Sequence, residues 1–389
     1  MGIRSCAENS LAFRELKWAF DNKRKAISKM MDSGKKTVWM MGDDVPEEVI
    51  LAAGMLPVRL CGYYGPRPNA DKYLEISFGA YWRGLFEAIM NDEYKGMMDF
   101  LVLSNSSDII QKLYYYLLEL KRMEPERRLP VIEYVDYSLF TKDFRSQEHN
   151  VSETKEFIAK VEGWCGSKIS DGDLADAIKV LNEYKKALRA FSALRYGKDS
   201  RVTGSEAITA IVGSFYFDKA KATELIKNLT KEAESWPKVE AVRVLYTGSM
   251  QETAEVYELM EAAGLNVVTE DKLFGDRYAD RDTDPTIPPA RAIASRYINR
   301  FPSSERAFIK ERAGFIPERI KEVGAEGMVI FMNHNDESYI WDFPKQRDVL
   351  KKMGIQTLMI EDQYYPLKDK EELSRRFASF ARTVKGGQI

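Results

Sequence analysis

The chain has 389 residues, 44% hydrophobic and 30% charged, with a formal net charge of -2. That length suggests two or three domains of ~100–200 residues, and the apolar share is enough for real cores. A near-neutral chain has no broad field to draw in nucleic acid, and no apolar run approaches the ~20 residues of a membrane span, so neither partner is expected.

The N-terminal stretch MGIRSCAENSLAFRELKWAFDNKRK is charged and amphipathic. It reads as a helix ending near Ser33-Gly34, not as a signal peptide. Thr37 to Gly42 is a short apolar run and reads as a buried strand. Pro46, Glu47 and Glu48 then mark a helix start, because a first turn has free N–H groups and a positive dipole end. This helix runs from Glu47 to Ala53 and stops at Gly54, and Leu56 to Leu60 is the next strand. Met97 to Asn105 is a strand, Ser106-Ser107-Asp108 caps the following helix, and Leu129 to Tyr137 is a strand. From about Ser152 to Trp236 the periodicity is helical only. Strands return at Ala241 to Ser249, Leu265 to Asp271, Glu326 to Asp336 and Ile355 to Asp362. Between them lie a helix ending at Gly264 and one from about Pro344 to Gly354. The last helix, DKEELSRRFASFARTV, is amphipathic.

Alternating strands and helices predict an α/β chain with parallel sheets. Residues 1–151 form an N-terminal α/β lobe with a leading helix, 152–236 a helical segment, and 237–389 a C-terminal α/β lobe that repeats the first. Each lobe is expected to be flavodoxin-like or Rossmann-like, and two such lobes put their strand ends around a shared crevice.

Three scattered cysteines, Cys6, Cys61 and Cys165, signal neither a disulfide framework nor a zinc site, and suit a cytoplasmic protein. With His149 and His334 the only histidines, a multi-histidine metal site is excluded within one chain. No phosphate loop, dinucleotide fingerprint, nucleophile elbow or HExxH motif is present. Tyr114-Tyr115-Tyr116 lies on a helix, where consecutive residues face different sides, so it is not an aromatic cage.

The segment GDDVPEEVILAAGMLPVRLCG (Gly42 to Gly62) resembles a signature of the 2-hydroxyacyl-CoA dehydratase and benzoyl-CoA reductase family. GAYWRG, FLVLSNSSD, WCGSKISDGDLADAIKVLNEYKKALRAF, EDKLFGDRY, GMVIFMNHNDESYIWDFP, IEDQYY and LSRRFASF are similar to family blocks in the same order. The ordered set covers nearly the whole chain and is closest to the smaller subunit. The resemblance implies a heterodimer of related subunits and an ATP-hydrolysing activator protein that delivers one electron. It also implies 4Fe–4S clusters beside an acyl-CoA thioester and ketyl radical chemistry.

The cluster cysteines of that family are missing here. A cysteine usually stands four residues before the arginine aligned with Arg83; here it is Gly79. Another precedes the aspartate aligned with Asp108; here it is Ser107. A third follows the late strand, where this chain has His334, Asn335 and Asp336. Thiolates suit iron in such clusters and these side chains do not. The expectation is therefore no metal and no cofactor on this chain, with the 4Fe–4S cluster on a homologous partner.

The resemblance makes Glu48 and Asp108 the candidate catalytic groups, at strand ends facing the crevice. Glu47, Arg83, Ser107, His334 and Asn335 are the candidate substrate-binding residues. Arg375 and Arg376 could reach the phosphates of an acyl-CoA, or flank the last helix in solvent. Two functions follow. One is a cluster-lacking subunit of a 2-hydroxyacyl-CoA dehydratase, or else of a benzoyl-CoA-type reductase. The other is a divergent non-redox binder of acyl-CoA or another small molecule, in which Glu47, Glu48 or Asp108 acts as general acid or base if burial raises its pKa, or His334, otherwise a solvated loop histidine, supplies the chemistry.

Overall fold

The structure is a computed structural model that describes residues 2–138, 143–303, 307–336 and 338–386. Two four-stranded sheets carry the fold. The first contains β1 (Thr37–Met41), β2 (Leu56–Arg59), β3 (Phe100–Ser104) and β4 (Val131–Val135) in the order β2-β1-β3-β4. The second contains β5 (Val242–Gly248), β6 (Leu265–Glu270), β7 (Gly327–Asn333) and β8 (Gln356–Gln363) in the order β6-β5-β7-β8. All neighbouring strands are parallel. The two orders are the same, so the repeat expected from the sequence is a repeat of topology.

Parallel sheets are covered on both faces, which is why their strands read as continuous apolar runs. The side chains still alternate between faces. Val38, Met40, Phe100 and Val102 pack with Val49, Phe157, Val161 and Ile178 on one face of the first sheet. Trp39, Met41, Leu101 and Leu103 pack with Leu85, Phe86, Leu113 and Leu117 on the other. In the second sheet Leu245, Met328 and Ile330 meet Ile316, Ile320 and Leu350.

The stretch between the sheets is helical over Phe144–Cys165, Asp171–Ala193, Gly204–Ser214 and Lys219–Ala233. Two of these helices begin with reciprocal caps, Ser170 with Asp173 and Thr203 with Glu206. The helix Gly204–Ser214 is buried along its whole length. The leading segment lies on it, and Arg4 reaches Glu206 at 2.8 Å.

Two expectations change. The leading helix is three helices, Ser5–Asn9, Leu11–Asp21 and Lys23–Met31. Ser10 is extended and its hydroxyl accepts from the Phe13 N–H, so it starts a new helix instead of continuing one. The helix expected from Pro344 starts at Ser338 and runs through the proline to Lys352. Pro344 has no N–H for the Ile340 carbonyl, but Ile340 is exposed and water can take that bond.

Candidate ligand-binding crevice

In both sheets the first and third strands lie side by side at the centre, the point where ligands of open α/β sheets bind beyond the strand ends. A glycine with positive φ stands at the end of each of the two first strands, Gly42 just after β1 at 98° and Gly248 as the last residue of β5 at 111°. A β-carbon on Gly42 would lie 2.4 Å from the Ser104 hydroxyl, and one on Gly248 would lie 2.1 Å from the Phe331 carbonyl oxygen. Both the left-handed backbone and the close approach therefore require glycine. They let the chain turn sharply off each strand into the crevice.

The loop after Gly42 is held by cations from the second half of the chain. Arg277 pairs with Asp43, and Arg300 lies 3.8 Å from Asp44 while donating to the Asp43 carbonyl. Arg296 donates to Asp280 at 2.8 Å, and Asp280 in turn accepts from the Phe301 N–H. Next to this lattice is a cavity of about 420 Å³ lined by Arg277, Arg281, Arg300, Tyr297, Phe301 and Phe315, among others. Deeper between the sheets, a second space of only about 20 Å³ is bounded by Gly42, Asp43, Ser106, Trp82, Met250 and Phe274. That is room for roughly one water, so the lobes are closed on each other there.

Glu47 and Glu48 occupy the first turn of the helix Glu47–Ala52 and are buried. Glu47 accepts from Arg59 at 3.0 Å and from the Tyr278 hydroxyl at 2.8 Å, with Lys219 at 3.4 Å. Burial alone raises a carboxyl pKa, but here Lys219 and Arg59 outweigh it and pull Glu47 from 4.5 to about 2. Glu48 accepts from Lys185 at 3.1 Å and from Thr283 and Tyr297 hydroxyls at 2.9 and 3.0 Å. Burial works against its charge too, and Lys185 with Arg296 overcomes that to hold it low. The expectation of a carboxyl raised by burial thus fails at these two positions. Nor does Glu48 face the crevice: its partners come from the helix Asp171–Ala193 and from residues 283 and 297.

The other candidates separate. Asp108 is the exposed first residue of the helix Asp108–Met123, and Ser107 is its N-cap, accepting from the Ile109 N–H. Arg83 donates to the Leu74 and Glu75 carbonyls and pairs with Asp71. His334 and Asn335 follow β7, where His334 Nδ1 meets Asp362 and the Asn335 amide donates to the Ile76 carbonyl at 2.9 Å. Two of the positions where the family carries cluster cysteines, Gly79 and the 334–335 loop, do come together: a β-carbon on Gly79 would lie 3.3 Å from the His334 carbonyl oxygen. Arg376 donates to the Met359 carbonyl and Arg375 pairs with Glu372 in solvent. Tyr114 packs on Tyr134, the exposed Tyr115 lies against Tyr114 with ring centroids 5.5 Å apart, and Tyr116 meets Phe78, so the three rings do not converge on one site.

Sequence reasoning did not single out Lys185, Lys219, Arg300 or Glu252. Glu252 follows β5 and is buried. Its Oε1 accepts from the Gly62 N–H and the Tyr64 and Tyr365 hydroxyls, so one carboxyl ties the two lobes. No motif announces such residues, because partners such as Glu48 for Lys185 and Tyr365 for Glu252 lie more than 100 positions away.

Residues 44–384 match the family model for the D-component of 2-hydroxyglutaryl-CoA dehydratase. The chain belongs to that family. It is 26% identical to the beta subunit of (R)-phenyllactyl-CoA dehydratase from Clostridium sporogenes, over 96% of this chain and 98% of the relative. It is 22% identical to the beta subunit of (R)-2-hydroxyglutaryl-CoA dehydratase from Acidaminococcus fermentans, over 83% and 86%. It is also similar to a benzoyl-CoA reductase subunit from Thauera aromatica, at 23% over 77% and 78%.

The iron–sulfur cluster that the resemblance implies does not fit the residues present. Gly79 offers no side chain and is packed against the 334–335 loop, and Ser107 is used as a helix cap. Cys61 is buried against the Tyr216 hydroxyl at 2.8 Å, and Cys6 and Cys165 lie in separate helices. Among the described residues no three His, Cys, Asp or Glu side chains gather as a metal site. No helix among them is long and apolar enough to cross a membrane.

Proposed function

We propose that this chain is a cluster-lacking subunit of an ATP-activated, radical-type 2-hydroxyacyl-CoA dehydratase of the cytoplasm, working beside a homologous cluster-bearing partner. The observation that carries the proposal is the combination of family membership with a thiolate-free set at the three cluster positions. The relatives are named as subunits, which supports a partner, and the dehydratase names among them support that branch over the reductase. In this role the chain shapes the acyl-CoA pocket. The 420 Å³ cavity beside Asp43 and Asp44 combines guanidinium groups with the rings of Phe301 and Phe315, which suits an anionic ligand with an apolar part. Glu47 and Glu48 keep the loop behind it rigid. An ATP-hydrolysing activator is then expected to act on the partner, where the cluster lies.

The test is iron and acid-labile sulfide on anaerobically purified protein, first the lone chain and then the chain with whatever copurifies. The proposal expects no iron on the lone chain and ~4 iron per heterodimer, one cubane's content. About four iron on the lone chain would overturn it. Absence of both iron and partner would move the assignment to a non-redox acyl-CoA binder.

A further inference from the structure

The two histidines of the chain are placed differently. His149 is exposed, and its Nε2 lies 3.0 Å from the Asp136 carbonyl oxygen. His334 has its Nδ1 against the Asp362 carboxylate, its ring stacked on Tyr364 at 6.1 Å and 17°, and its backbone N–H on the Gln363 carbonyl. The backbone bond holds the loop, and the carboxylate and the ring of Tyr364 set the side of the imidazole they face. A carboxylate at Nδ1 requires the proton there, which leaves the lone pair on Nε2. The described residues give Nε2 no hydrogen-bond partner, and the side chain is half exposed.

The backbone around the pair is bent to make it. Along β7 and β8, Phe331 pairs with Ile360 and Asn333 with Gln363, so β8 carries one extra residue between these pairs. Bulges of this kind re-aim a side chain. Asp362 lies inside the bulge at φ 58°, and Asn335 follows His334 at φ 61°. Left-handed backbone is uncommon outside glycine, and Asp and Asn are among the residues that adopt it most readily. Two such residues flank one exposed histidine at the lobe junction, with the Asn335 amide anchored to the opposite lobe at the Ile76 carbonyl. Lys368 sits 3.6 Å from the centre of the Tyr364 ring, so the approach to the imidazole is aromatic and cationic.

We propose that His334 and Asp362 form a general-base dyad at the mouth of the lobe junction. His334 Nε2 accepts a proton from a hydroxyl or water oxygen, and Asp362 is the positioning residue that sets the tautomer and balances the imidazolium. The dyad needs neither iron nor the partner subunit, so it stands apart from the proposed dehydratase role.

The test uses the full chain with p-nitrophenyl acetate as probe. Water oxygen bonds to the acetyl carbon while its proton passes to Nε2. Nitrophenolate leaves with the electron pair of the broken C–O bond, and the proton is then released to solvent. Nitrogen-15 NMR reads the neutral tautomer of each histidine at the same time. The expected result is His334 as the Nδ1–H tautomer and an ester hydrolysis rate that falls several-fold in His334→Gln but not in His149→Gln. Asp362→Asn keeps the left-handed backbone, because asparagine tolerates it, and is expected to lower the rate and abolish the tautomer preference. A wild-type rate in His334→Gln, or an Nε2–H tautomer in the wild type, would overturn the proposal.

Discussion

Replacing Glu47 by glutamine asks whether the carboxylates after β1 are chemistry or architecture. Glu47 accepts from Arg59 and Tyr278 and pairs with Lys219, and all the charged side chains in this group are buried. Glutamine keeps the shape but removes the charge, leaving two buried cations without their counterion. Breaking a buried pair by deleting one partner costs about 3–5 kcal/mol, against total stabilities of about 5–15 kcal/mol. The wild type carries the same signature in its pH dependence. The drop in pKa from 4.5 to about 2 is worth about 3 kcal/mol of stability at most. Lys219 is pushed down by its own burial, which offsets part of that gain, so the net value of the pair is smaller. Because the folded pKa is depressed, this contribution is present above pH 4.5 and lost as pH falls toward about 2. The assay is urea unfolding of wild type and Glu47→Gln at neutral pH and near pH 3. The variant is expected to lose about 3 kcal/mol or more at neutral pH, with the gap closing in acid. A loss under about 1 kcal/mol, or a gap independent of pH, would refute the architectural account and return Glu47 to the list of functional acids.

Other outcomes follow from the same geometry. Gly248→Ala forces both a left-handed alanine and a β-carbon 2.1 Å from a backbone oxygen, and is expected to cost more than about 3 kcal/mol in chemical denaturation. Lys272 is buried over the Tyr246 ring at 3.3 Å, and burial pushes its pKa down to about 7 despite Asp271 and Glu270. Its folded pKa is depressed, so the stability it contributes is present above pH 10.5 and lost as pH falls through about 7. Lys272→Met should therefore flatten stability between those pH values and be neutral or stabilising at neutral pH, read by thermal melts. Burial raises the Glu252 carboxyl, so its contribution is present below pH 4.5 and fades as pH rises. Glu252→Gln can still accept through its amide oxygen, and is expected to stay within about 1 kcal/mol of wild type while losing that pH dependence.

The positions of the strands along the chain and their parallel class were legible because buried parallel strands are short apolar runs between turn residues. Which strand lies beside which was not, since β1 pairs with the distant β3, Val38 opposite Phe100. Gly42 was legible as a strand end, and Pro46 with Glu47 as a helix start, since these are demands of the nearest few residues. The chain's family was legible as an ordered set of segments. The fate of the charges was not. Nothing near Glu48 in sequence distinguishes a carboxylate facing a crevice from one locked on Lys185, 137 positions away. The same holds for Asp362: its register in β8 looks regular until the bulge between the Phe331 and Asn333 pairs turns it toward His334. Local sequence determined which segments are strand or helix and where they stop. Only the tertiary structure decided which charges are neutralised, because that depends on which distant cations folding brings within a few ångströms in a medium too apolar to leave them alone.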